Sequence, residues 1–431
     1  MVHEIKIKNC LSFREEQTLS FEATADRSFE DQYCVEVKPG LRLLKLGVLY
    51  GPNASGKSNL IGIIDFFREI VLKTKDDKFE EIDFVPFLLD KNSRHEDGEI
   101  SLSFFVDKKQ YIYQVKFNQE FIRSERLIYY PGSQPAMLFK RTYSEDEKFS
   151  EVEFGKKLGL SQKEKILLEG NTIPNSSVLS AYLKTNISNE ILENVTLWFK
   201  GRFMNFIGPQ TQLTRWANRT MRNAKNQKCK ELTLELLRRA DFNISDLYFE
   251  EKDEKLNDLM LEVIKGLDLQ EDKKQEMLAN KQVRLPRLFI MHETASGKFP
   301  LSYQQQSDGT KRYYGLGVVL TKLLEENKCL FVDELDISLH YELFTHFIKT
   351  FLSNAKESQL FFTTHNIGLL LSDFLRRDVI WFCEKDENGA SQIYSASDFQ
   401  LHKNASLFNA YRIGKLGAKP NLGDIFMEEN G

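Results

Sequence analysis

GPNASGKS, residues 51–58, has the spacing G-x-x-x-x-G-K-S, and the apolar stretch Leu41 to Tyr50 before it predicts the strand that a phosphate-binding loop must follow. Gly51 and Gly56 let the backbone turn tightly, so the N–H groups from Asn53 to Lys57 can cup the phosphates of a nucleotide. Gly51, Pro52, Asn53, Ala54, Ser55, Gly56, Lys57, Ser58 and Asn59 are therefore the candidate cradle. Lys57 is placed to reach the β- and γ-phosphates and Ser58 to hold Mg²⁺, which makes ATP and Mg²⁺ the expected ligands. A helix starting near Ser58 adds the positive end of its dipole at the same point. An ordinary Gly-rich turn is the competing reading; it has no need of the strand and helix on either side.

The 431 residues suffice for a large core and suggest two or three lobes. A net charge of −4 gives no global attraction to nucleic acid, though local patches can still form. Five cysteines, at 10, 34, 229, 329 and 383, include no C-x-x-C pair, which argues against a disulfide framework or a cysteine zinc site and for a reducing compartment. MVHEIKIKNC lacks an apolar signal core, and no run of 18 apolar residues occurs. A cytoplasmic protein without a membrane partner is expected.

Ile5, Ile7, Phe13, Leu19 and Phe21 fall at odd positions, which predicts two half-buried strands at the start. Residues 98–142 read as further short strands separated by turn residues such as DKK and PGS. From about 156 to 285, Leu, Lys, Glu and Arg dominate, with helical apolar spacing in 189–205, 230–240 and 254–280. Strand signals return at 286–292, Cys329 to Val332, Gln359 to Thr364 and Val379 to Cys383. The expected layout is an N-terminal ATPase lobe with a β subdomain over 1–150, a helical insertion over 151–285, and a C-terminal ATPase lobe over 286–431.

The second half of a nucleotide site is sought at strand ends. CLFVDE, residues 329–334, places two acids after a buried strand: Asp333 to orient Mg²⁺ and Glu334 to polarise the water that attacks the γ-phosphate. Two such acids can also just mark a surface loop. QLFFTT ends in His365, which can hydrogen-bond a γ-phosphate oxygen or the attacking water. Ahead of the acidic strand, Ser307, Asp308, Gly309 and Thr310 open a helix whose bare N–H groups suit an approaching phosphate; a plain N-cap is the alternative.

This order of motifs resembles the ABC-type ATPase heads of the SMC, RecF and overcoming-lysogenization-defect (OLD) group, over nearly the whole chain. SDGTKR, DELDISLH, TTHN, RRDVIWFCEKD and YSASDF look most like the bacterial RloA-type anti-phage ATPases, relatives of the PARIS ATPase AriA. The resemblance implies an α/β fold: an ABC-type P-loop NTPase head with a mixed sheet, helices, an antiparallel β lobe and a helical insertion. It makes GPNASGKS the Walker A loop, SDGT a divergent signature, VDE the Walker B, Asp336 to Ser338 the D-loop and His365 the switch histidine. Gln119 and Gln134 are candidates for a Q-loop glutamine without a convincing context, and Gln306 stands where related sequences often have Glu.

By the same resemblance, the signature of one protomer completes the site of the other, so two ATPs are sandwiched in a homodimer that could build a higher oligomer. OLD-type nucleases append a TOPRIM domain after the head; the 66 residues after His365 leave no room for one, so a nuclease or toxin effector is expected as a separate chain. RWANRTMRNAKNQKCK, residues 215–230, carries Arg215, Arg219, Arg222, Lys225, Lys228 and Lys230 with no acid, suited to phosphate backbones or an acidic partner, or simply solvated. Two functions fit: the sensor and scaffold of a two-component phage-defence system, or a DNA-repair or chromosome clamp gripping duplex DNA. A binding module with a degenerate site fits poorly beside Lys57, Ser58, Asp333 and Glu334 together.

Overall fold

The computed structural model of the chain describes residues 1–223, 226–240, 243–266, 271–402 and 405–420. Lys225 of the basic stretch, part of the helix expected over 254–280, and the end of the YRIGKLGAKPNLGD segment lie outside the described residues. Two compact units emerge. The first holds 1–211, 323–337 and 344–431; the second holds 212–322 and 338–343.

The first unit is built on two main sheets. Strands β1 (Val2–Lys8) and β2 (Gln17–Ser20) join β6 (Gly98–Val106), β7 (Lys109–Phe117), β8 (Ile122–Tyr130), β9 (Ala136–Ser144) and β10 (Phe149–Phe154) in an antiparallel sheet of order β10-β9-β8-β7-β6-β1-β2. The odd-position residues Ile5, Ile7, Phe13, Leu19 and Phe21 are all buried, as their alternation requires. The second sheet has the order β14-β15-β5-β16-β17, from β5 (Leu46–Tyr50), β14 (Cys329–Val332), β15 (Gln359–Thr363), β16 (Ile380–Lys385) and β17 (Ser391–Ser395). Its first four strands are parallel and β17 is antiparallel, so the fold is α/β with a mixed sheet beside an antiparallel lobe. All five residues of β5 are buried, which is why it reads as an unbroken apolar run.

The strand expected over 41–50 is two strands. Lys45 interrupts it: β4 (Leu41–Leu44) turns away to pair with β3 (Cys34–Lys38), and the buried Lys45 ammonium donates to the Ala355 carbonyl at 2.9 Å. A short helix α1 (Glu30–Tyr33) precedes that hairpin. Helix α2 (Lys57–Leu72) starts directly from the phosphate-loop sequence and buries Leu60, Ile61, Ile64, Phe67 and Val71 in one apolar cluster with residues of both sheets. Helices α3 (Gln162–Asn171), α4 (Val178–Tyr182) and α5 (Glu190–Leu197) follow the antiparallel sheet. The segment that opens α4 is pinned to it by a buried ion pair: Arg141 lies 3.5 Å from Glu125, whose carboxylate accepts from the Val178 N–H, while Arg141 donates to the Ser176 and Pro174 carbonyls. Burial raises the Glu125 pKa despite its arginine, so removing either partner alone would strand a charge.

The second unit departs most from expectation. Helix α7 (Gln227–Arg239) is where the spacing over 230–240 put one and is preceded by α6 (Leu213–Arg222), but a three-stranded antiparallel sheet follows: β11 (Ile244–Lys255), β12 (Gln282–Thr294) and β13 (Gly297–Ser302). The helical insertion drawn over 151–285 thus has strands at 244–255 and from 282, and the chain divides near 212 instead. The physical reason is legible in ISDLYFEEKDEK: its outer half is charged on both faces and exposed, so no period-two pattern marks it as a strand. Helices α8 (Asp258–Gly266) and α9 (Glu271–Asn280) connect β11 to β12. Helix α10 (Asp308–Glu326) opens at the serine-glycine motif, and α11 (Tyr341–Asn354) and α12 (Leu407–Arg412) complete the helices described. No helix among the described residues is long and apolar enough to cross a membrane.

Candidate functional site

The loops after β5, β14 and β15 leave the carboxyl ends of neighbouring parallel strands, and parallel pairing is what brings three distant sequence motifs to one edge. The loop 51–56 leaves β5 and delivers Lys57 to the first turn of α2, with Ala54 (φ 62°) and Gly56 (φ 114°) in left-handed conformations that turn successive N–H groups inward. The backbone N–H groups of Asn53, Ala54, Gly56, Lys57, Ser58 and Asn59 have no acceptor among the described residues. That is the donor set an anion needs, and it fits a triphosphate.

The loop is held from outside. A Cβ on Gly51 would lie 2.2 Å from the Cys383 carbonyl of β16, and one on Gly56 would lie 2.3 Å from the Ser391 hydroxyl of β17. Ser391 donates to the Ser55 carbonyl at 2.6 Å and its hydroxyl lies 2.8 Å from that of Ser12, which accepts from the Asn59 amide. The Cys383 thiol donates to the same Ser55 carbonyl. Ser12, Cys383 and Ser391 are functional neighbours that sequence reasoning missed; no local motif marks them, because they reach the loop from the turn after β1 and from the strands β16 and β17.

Lys57 is 6% exposed and its ammonium donates to the Gly51 and Pro52 carbonyls at 2.9 Å. Burial lowers its pKa, opposed by the nearby Cys383, Asp333 and Glu334. Asp333, also 6% exposed, accepts from Thr363 Oγ1 at 2.6 Å, and the same Thr363 oxygen accepts from the Glu334 N–H. Thr363 is a further residue that sequence reasoning missed; the only signal was its place at the end of QLFFTT. Its hydroxyl engages Oδ1 of Asp333 alone, so the other carboxylate oxygen has no protein hydrogen bond among the described residues.

Glu334 sits at φ 52°, a left-handed conformation that a non-glycine residue adopts only when its surroundings dictate it, here through Thr363 and the turn bond from the Ile337 N–H. His365 Nε2 lies 3.9 Å from Glu334 Oε1. Burial and Lys57 lower the His365 pKa more than Glu334, Asp336 and Asp333 raise it, so the imidazole is neutral at pH 7. Asp336 follows in the turn after Glu334, with Oδ1 buried and without a hydrogen-bond partner among the described residues. Ser58 is exposed at the loop's end. No group of three or more His, Cys, Asp or Glu able to hold a metal is found among the described residues. One carboxylate and one hydroxyl beside phosphate oxygens is the donor set Mg²⁺ ordinarily takes, and Asp333 with Ser58 fits it.

Ser307, Asp308 and Gly309 belong to the second unit. The Ser307 hydroxyl accepts from the Thr310 N–H at 3.1 Å, capping α10, and Asp308 meets Lys311 at 3.3 Å. A Cβ on Gly309 would lie 3.1 Å from the Ser338 carbonyl. Gln306, buried before the cap, pairs with His292 Nε2 at 3.0 Å. Gln119 donates to the Phe84 carbonyl and Gln134 lies in the exposed turn between β8 and β9, so neither gains a Q-loop assignment.

A family model described as "AAA domain, putative AbiEii toxin, Type IV TA system" matches residues 46–372, from the start of β5 to just past His365. Among solved structures, an SMC head domain from Thermotoga maritima is 15% identical, covering 91% of this chain and 98% of its own, with a TM-score of 0.42. An SMC head bound to the C-winged helix domain of ScpA is 14% identical over 95% of this chain and 99% of its own, with a TM-score of 0.44. The SMC head with an extended coiled coil bound to the C-terminal domain of ScpA from Pyrococcus furiosus is 13% identical over 97% and 99%, with a TM-score of 0.36. No curated protein matches the chain.

Proposed function

Because this chain belongs to the AAA-domain family of P-loop ATPases matched over residues 46–372, we propose that it binds and hydrolyses ATP and that nucleotide joins two copies. The joined form acts as sensor and scaffold for a separate effector in bacterial anti-phage defence. The observation that carries the enzymatic part is the grouping of Lys57, Asp333, Glu334 and His365 at the ends of adjacent parallel strands. The family description, with its AbiEii toxin and type IV toxin–antitoxin system, supports the defence setting.

The residues divide the work by chemistry. The Lys57 ammonium and the N–H groups of Asn53, Ala54, Gly56, Lys57 and Ser58 bind the triphosphate, exchanging the lysine's contacts with the Gly51 and Pro52 carbonyls for phosphate oxygens. Ser58 and Asp333 hold Mg²⁺, which supplies charge neutralisation when bound. Glu334 accepts the proton of the attacking water. Neutral His365 donates one N–H to a γ-phosphate oxygen, a contact that exists with ATP and not with ADP. The start of α10 in the partner, with Ser307, Asp308 and Gly309, supplies N–H groups to the remaining γ-phosphate oxygens, and Asp336 lines the same seam.

The test is a mass measurement of Glu334→Gln with ATP and Mg²⁺. Nucleotide binding persists, hydrolysis slows by about 10²- to 10⁴-fold and dimers accumulate. Unchanged turnover removes Glu334 from the base role, and a monomer at saturating ATP removes the shared site. Co-purification of an effector encoded beside this chain tests the scaffold; its absence from such preparations of the trapped dimer would refute that part alone.

A further inference from the structure

The nucleotide site leaves one sequence feature unused, the basic stretch on α6. Leu213, Ala217 and Met221, four residues apart, are its buried side, and Asn218 accepts from the Tyr314 hydroxyl at 2.9 Å, so the rotation of the helix is set. At about 100° per residue, Arg215, Arg219 and Arg222 fall within roughly 60° of one another on the opposite side. All three are exposed, and none enters an ion pair among the described residues. Trp216 flanks the stripe and is 37% exposed.

This is not how the chain treats an ordinary solvated helix. Elsewhere it pairs charges along the turn, as Glu69 with Lys73 and Glu235 with Arg239. Here no Asp or Glu occurs between Glu193 and Glu231, although the whole chain carries more acids than bases. Positive charge has been gathered on one face, within about 10 Å of helix length, and an indole has been set beside it.

We propose that this face of α6 binds single-stranded nucleic acid. Arg215, Arg219 and Arg222 pair with phosphates along the strand, and Trp216 stacks on an unpaired base. The indole selects the strand over the duplex, whose base faces are already stacked on each other, and over an acidic protein, which has no use for the ring. The inference stands apart from the nucleotide site and can fail without it.

The experiment uses the full chain and labelled strands of oligo-dT and oligo-U, with a mixed-sequence duplex for comparison, read by anisotropy from about 50 to 200 mM salt. The single strands bind with affinity that falls as salt rises. Replacing all three arginines with Ala flattens the log–log salt slope by about 2, from a loss of roughly 0.7 per phosphate contact. Trp216→Ala weakens binding by about 5- to 100-fold with the slope unchanged, while Trp216→Phe restores most of it. ATP binding stays at the wild-type level in every variant. The proposal is overturned if neither strand binds at about 50 mM salt, if duplex binds as tightly as single strand, or if the triple variant keeps the parent slope. It is equally overturned if polyglutamate competes as well as oligonucleotide at equal charge, which would make the surface one for an acidic protein.

Discussion

The loop at 51–58 and the helix start at 307–310 are both glycine-bearing turns that open a helix, yet they are built in opposite ways. The first is held by partners far along the chain: Ser12, 47 residues before Asn59, and Cys383 and Ser391, more than 300 residues after Ser55, converge on it, and two of its glycines have no room for a side chain. The second is held by its own neighbours, Ser307 capping Thr310 and Asp308 meeting Lys311. A pocket that must grip a triphosphate within one chain needs its geometry enforced before the ligand arrives. Under the proposed function, a helix start that would meet its ligand only when a second copy approaches needs little more than open N–H groups and a clear approach.

That difference can be broken at several points. The largest effect is expected from Lys57→Ala, which removes a charged contact to the phosphates and should lower ATP affinity about 100-fold, measured by calorimetry; undiminished affinity would mean the loop is not the cradle. Next comes Gly51→Ala, whose new carbon meets the backbone carbonyl of Cys383 rather than a yielding side chain. It should cost about 1–3 kcal/mol in denaturant unfolding and weaken ATP binding with it.

Smaller effects sharpen the contrast. Ser391→Ala leaves the Ser55 carbonyl without one of its two donors and should cost about 1 kcal/mol, while Gly309→Trp should leave unfolding of the first unit and ATP binding by one protomer unchanged. What Gly309→Trp should abolish is ATP-dependent association, seen as a mass that stays at one protomer; normal association would refute a shared site. The mildest probe is pH. Because burial and Lys57 disfavour the charged imidazole, the folded His365 pKa lies below its unfolded value of about 6.5. The stability tied to the neutral form is present above that value and is lost as pH falls through it toward the folded pKa. Turnover should therefore decline only on the acid side of the ordinary histidine range, and His365→Ala should remove that limb.

How much of this was legible depends on whether the signal is local. Lys57, Asp333 and His365 stand beside apolar runs that become β5, β14 and β15, so each could be read from a dozen residues around it. Thr363, Ser12 and Ser391 could not, because a serine or threonine at a strand end or turn looks the same whether or not a distant carboxylate or carbonyl lies above it. Lys45 split an expected strand for a similar reason: the Ala355 carbonyl that receives its ammonium is 310 residues away. In β11, charges on both faces of the outer half erased the alternation by which strands are recognised.

The sequence by itself determined that this chain carries a phosphate loop, an acidic strand end and a capped glycine helix start, because glycine spacing, apolar runs and capping residues act over a few bonds. Tertiary structure alone decided that Lys57, Asp333, Glu334 and His365 share one edge, that Thr363 links the two acids, and that α6 turns its arginines outward. The reason is the pairing of parallel strands and the burial of one helix face, both long-range choices made by the core and invisible in any short window of residues.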